Sequence, residues 1–145
     1  MATTNASITI TSDILSTPIS ISKTMTMTKD QSSTGLEETT GLRTKKFGTV
    51  TTAAVIAEHD ELTDDKAHKM YIRNTGASKT NYFYVAYNAS AAAAATPETI
   101  GRLYGGDWML FPYDGNTNIT VAADGGVEQT LEYMVFADGI VTATG

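Results

Sequence analysis

A chain of 145 residues, 41% hydrophobic and only 18% charged, has the apolar content for one core, and a formal charge of −6 offers phosphate backbones little attraction, which sets nucleic acid aside as a partner. The absence of cysteine excludes disulfides, thiolate metal sites and a cysteine nucleophile. No apolar run approaches the roughly 20 residues of a helical membrane span and the first residues lack the pattern of a secretory signal, so the expectation is a soluble product of the cytoplasm that stays off membranes.

The first 42 residues read as an N-terminal β arm followed by an exposed loop. Ile8 and Ile10, then Ile19, Ile21, Met25 and Met27, alternate with Ser and Thr, a period of two that gives an extended ribbon one apolar face and one hydroxyl face. Pro18 marks the start of the second run or an edge position. Such a ribbon can bury its apolar face by pairing with a partner, and Ile8, Ile10, Ile19, Ile21, Met25 and Met27 are the candidate partner-binding residues. Between Lys29 and Gly41 the turn formers and acids of DQSSTGLEETTG read as exposed loop.

From residue 43 to 140 the pattern is that of an antiparallel β-sandwich, jelly-roll-like, with residues 141–145 as a polar tail. Thr44 to Ala57 reads as one β segment, with Phe47, Val50, Val55 and Ile56 in the core and a bulge at Gly48. Lys69–Asn74 and Asn81–Tyr87 read as a hairpin with a long turn. The alanine run within Asn88–Pro97 is too short to nucleate a helix and reads as loop. Short strands then alternate with glycine turns, and Asp114-Gly115 and Asp124-Gly125 match tight hairpin turns.

No constellation points to catalysis. His59 and His68 bracket the acids Asp60, Glu61, Asp64 and Asp65, without the register of a calcium loop, and read as a solvated turn with no metal. The basic group Arg43, Lys45 and Lys46 reads as a strand end. Glu37-Glu38 and Asp64-Asp65 are adjacent pairs whose side chains diverge on a strand, so they do not make a glycosidase pair. Gly105-Gly106-Asp107 and Asp124-Gly125-Gly126 lack the phosphate-loop pattern and read as turns. Trp108, Phe111 and Tyr113 fit core packing better than a sugar-binding shelf. The expectation is a protein that is not an enzyme and carries no cofactor.

The segments YIRNTG, NYFYVAYN, IGRLYGGDWMLFPYDG, NITVAA and LEYMVF, spread over about residues 68–137, resemble small β-sandwich structural proteins of tailed bacteriophages, including capsid cement (decoration) proteins of some cyanophages and marine phages. The unit from Leu103 to Pro112 looks like the L-x-P-G-D/E corner of these sandwiches, with Gly105 where proline is usual. The resemblance implies a virion protein, made in the host cytoplasm and placed on the capsid exterior. Its implied partners are the major capsid protein and itself, as a homo-oligomeric trimer or dimer. The alternatives are a tail, head-tail adaptor or fibre attachment protein, and a carbohydrate-binding module using Trp108 and Tyr113.

Overall fold

A computed structural model describes residues 3–50, 52–87 and 99–141. The chain is an all-β sandwich with a projecting hairpin. In chain order the strands are β1 (Asn5–Ser12), β2 (Ile19–Thr26), β3 (Glu38–Thr39), β4 (Arg43–Phe47), β5 (Thr52–Ala57), β6 (His68–Asn74), β7 (Tyr82–Tyr87), β8 (Thr99–Tyr104), β9 (Trp108–Tyr113), β10 (Ile119–Ala123) and β11 (Gln129–Ala137). A single turn of 3-10 helix, His59–Glu61, lies between β5 and β6.

Among the described residues, strands β1 and β2 pair only with each other. One sandwich layer has the order β4-β11-β6-β9, with β3 continuing β4 along the same edge of β11; the facing layer has the order β5-β10-β7-β8. All pairings are antiparallel. Counted from β4 to β11, the first strand pairs with the last, the second with the seventh, the third with the sixth and the fourth with the fifth. That nesting is a jelly roll, in which a doubled ribbon of strands wraps around one core.

The core follows the period of two. On β6, His68, Met70, Ile72 and Asn74 point inward and are buried, while Lys69, Tyr71 and Arg73 alternate outward. Leu131, Val135 and Ala137 of β11 do the same. Phe47 on β4 meets Phe83 on β7 edge to face, ring centroids 5.0 Å apart, joining the two layers.

The expected hairpins are absent from the sandwich. β6 and β7 lie in opposite layers, and the Asp-Gly turns at 114 and 124 carry β9 to β10 and β10 to β11 across the core instead of folding a strand back onto its neighbour. The turn chemistry is as read, with Gly115 and Gly125 at φ +86° and +83°, but a turn reverses the chain without choosing the layer the next strand joins. The segment Thr44 to Ala57 likewise breaks at residues 48–50 into β4 and β5 on opposite layers, so Gly48 is a crossing and not a bulge, and Val50 is exposed.

The stretch read as exposed loop is partly structural. Leu36 is buried, Glu38–Thr39 adds β3 to β11, and Thr40 Oγ1 accepts the Val135 N–H at 3.0 Å. At the other end, Leu62 bridges Ile140, and the Val141 N–H donates to the Glu61 carbonyl at 3.0 Å, so order reaches the first residue of the expected tail. Residues 142–145 and the alanine run, within 88–98, lie outside the described residues.

Gly105 occupies the corner from β8 to β9. Its N–H donates to the Ser78 carbonyl at 2.8 Å, and a β-carbon there would sit 2.6 Å from that oxygen and 2.7 Å from the Gly76 carbonyl oxygen. Glycine is therefore required at this corner because the backbones touch, and proline is excluded because the N–H is used. Gly105→Ala is expected to lower stability by about 1–3 kcal/mol, read from urea unfolding, with no change in the far-ultraviolet spectrum of the folded state.

Candidate partner-binding surface

The hairpin separates two chemistries by face. Cross-strand register pairs Ala6 with Met25, Ile8 with Lys23, Ile10 with Ile21 and Ser12 with Ile19, and alternation places these on one side. The opposite side carries Asn5 with Thr26, Ser7 with Thr24, Thr9 with Ser22 and Thr11 with Ser20. Two of these pairs are hydrogen-bonded across the strands, Ser7 with Thr24 at 2.7 Å and Thr26 Oγ1 donating to Asn5 Oδ1 at 2.8 Å.

Five of the six candidate binding residues, Ile8, Ile10, Ile19, Ile21 and Met25, stand on the apolar face with 36–46% of their surface exposed. The tip beyond them is more open, with Ile14 88% and Leu15 56% exposed. Met27 is placed differently, at 2% exposure. Its N–H donates to the Thr4 carbonyl at 2.9 Å, its carbonyl accepts the Leu36 N–H at 3.0 Å, and it lies beside Tyr71, Met134 and Phe136 on the outer face of the β11-β6 layer. Met27 thus belongs to the root of the arm.

A carboxylate secures that root. Asp138 Oδ2 accepts the Asp30 N–H at 2.6 Å and the Ala67 N–H at 3.3 Å, and Lys66 stands 3.6 Å from the Asp30 carboxylate. The Asp138 N–H donates to His68 Nδ1 at 2.9 Å, so Nε2 carries the proton and donates to the Thr63 carbonyl at 2.8 Å. Both ring nitrogens of this buried histidine are occupied by structural bonds. Beside it, burial pushes the Lys69 ammonium below its usual range, against the pull of Asp138.

Where the arm leaves the sandwich, its apolar face and the edge strand β9 enclose a cleft of about 440 Å³. Ile8 and Met25 form one wall, Trp108 and Leu110 the other, and Lys23 stands on the arm side. Trp108 points outward and is 51% exposed, while Phe111 and Tyr113 pack toward the core, so the three aromatics do not form a shelf. The sequence reading missed the Trp108 and Leu110 wall. Its signal was the alternation of Trp108, Leu110 and Pro112 with Met109, Phe111 and Tyr113, which assigns the two triplets to opposite faces of β9.

The outer face of the other layer carries an aromatic cluster. The Arg102 guanidinium lies 4.6 Å from the ring centre of Tyr82 and 5.0 Å from that of Tyr84, whose hydroxyls are 3.0 Å apart. The hydrogen bond to Tyr84 raises the Tyr82 hydroxyl above its ordinary value. That to Tyr104 raises the Arg102 guanidinium, reinforcing the charged form that stacks on the rings.

The remaining sites considered from sequence stay apart. His59 is exposed in the 3-10 turn beside Asp60, at 3.0 Å, and His68 is buried on β6. No group of three or more His, Asp or Glu side chains converges among the described residues. Lys46 and Arg43, on β4 at the sheet edge, face Glu128 at 2.8 Å and Glu61 at 3.8 Å. No helix among the described residues is long and apolar enough to cross a membrane. Comparison of the chain with protein-family models, curated proteins and solved structures finds no match.

Tyr113 provides a test of the interior. Burial, reinforced by the nearby Asp114, pushes its hydroxyl well above the ordinary 10.0, and the group donates to the Thr117 carbonyl at 2.7 Å. A raised folded value means that the stabilisation is complete below the unfolded value and is lost as pH rises beyond it. Unfolding free energy should therefore fall above about pH 10. Tyr113→Phe should cost about 1 kcal/mol at pH 7 and lose less stability between pH 9 and 11 than the parent. Parallel slopes for the two proteins would contradict this.

Proposed function

We propose that the chain is a structural virion protein, a capsid cement protein that docks on the lattice of the major capsid protein and stabilises the shell. The observation that carries this reading is the arm: a two-stranded hairpin that, among the described residues, pairs with no other strand and exposes five large apolar side chains on one face. An isolated two-stranded hairpin is marginally stable in water, so a surface that covers its apolar face stabilises both partners. Jelly rolls serve in viral capsids and in lectins alike, so the architecture agrees with the reading without selecting it. A repeated lattice then turns a modest contact per subunit into firm attachment through avidity.

The full chain and an Ile10→Asp, Ile21→Asp variant, each sedimented with expanded capsids of a phage encoding it, test the reading. The parent is expected on the shells in proportion to lattice subunits, and the variant, with its sandwich intact by circular dichroism, is expected in the supernatant. Binding as one ring per particle would shift the assignment to a tail or head-tail adaptor component, and equal decoration by the variant would remove the arm from the interface.

A further inference from the structure

The arm has a pattern that a second copy of the same chain completes. Between residues 3 and 28 it holds two charged side chains, Asp13 leading into the tip and Lys23 within the apolar face beside Ile8. They lie five residue rows apart, about 16 Å at strand spacing, too far to pair within one arm, and neither forms an ion pair among the described residues. Next to Lys23 is the open cleft bounded by Ile8, Met25, Trp108 and Leu110. Next to Asp13 are Ile14 and Leu15, the two most exposed large apolar side chains of the arm. Each end of the arm thus offers what the other end lacks.

We infer that in the free protein the apolar face of the arm is covered by the same face of a second copy, two hairpins stacked antiparallel about a two-fold axis, each tip seated in the other's cleft. An axis beside the Ile10–Ile21 pair brings Asp13 of one copy opposite Lys23 of the other, twice, and sets Ile14 and Leu15 against Ile8, Met25 and Trp108. Two apolar sheet faces pack at about 10 Å, which leaves space for these side chains to interdigitate. The contact is isologous and closes at two subunits, so it makes a dimer and not a fibre. Charge permits it as well: one Asp and one Lys cancel along the arm, so the net −6 resides in the rest of the chain, away from the stacked hairpins. The inference concerns the chain alone and stands whatever surface it later decorates.

The test is sedimentation velocity on the full chain with two charge reversals. The parent is expected as a dimer whose Trp108, the single tryptophan, shifts its emission to longer wavelength as dilution separates the copies. Asp13→Lys and Lys23→Asp each place like charges at both contacts and should weaken the dimer by on the order of tenfold or more. An equimolar mixture of the two variants restores complementary charges at both contacts and should yield a one-to-one heterodimer. A monomeric or trimeric parent, a dimer indifferent to both reversals, or a mixture that fails to pair overturns the clasp. A monomer that still decorates shells overturns the clasp alone; a charge-dependent dimer that ignores shells overturns only the shell-docking reading.

Discussion

Strand β11 is the element on which the rest of the molecule depends. It is hydrogen-bonded to β3 and β4 along one edge and to β6 along the other, so the last strand of the sandwich closes the layer that the first strand began. Its inward residues Leu131, Val135 and Ala137 are fully buried. Among the described residues, β7 and β8 are the one consecutive pair of sandwich strands that are hydrogen-bonded to each other, and the core is assembled almost entirely from partners distant in the chain. Burial of the apolar faces therefore has to offset the closure entropy of nested loops, which suits a chain with one continuous core and no disulfides.

The crossings between layers place polar groups at the ends of the core, and each finds a partner. Asn74 Nδ2 donates to the Leu103 carbonyl at 2.9 Å, and Gln129 Nε2 donates to Asp124 Oδ1 at 2.9 Å, tying the corners after β6, β8 and β10 together. At the opposite end, His68 and Asp138 hold the segment leading into β6, the end of β11 and the root of the arm in one network. Among the described residues no buried side-chain nitrogen or oxygen lacks a hydrogen-bond partner. The direction in which the arm leaves is thus set by a polar corner of the sandwich, while the arm's own strands contribute the face it presents.

That division explains why the arm is suited to a partner. Its hydroxyl face is polar and suited to water, while its apolar face is an extended patch whose exposure is unfavourable until something covers it. Met27 and Leu36 fix one end, and Asp13, Ile14 and Leu15 stand at the other.

The sequence by itself determined the all-β class, the two-faced character of the arm and the glycine turns, because alternation and positive-φ turn chemistry are local properties that act within a few residues. The root was not legible: Leu36 sits in a polar, acidic stretch, and it is buried where its N–H meets the carbonyl of Met27, which itself lies beside Met134 and Phe136 on the outer face of β11. Gly105 was visible as a turn former, but its necessity comes from the Ser78 carbonyl, 27 residues away in the chain. Likewise the layer each strand joins was decided by tertiary structure alone. Local turns reverse the chain, and whether the next strand pairs with its predecessor or crosses the core depends on which arrangement buries both apolar faces, a property of all eight sandwich strands together.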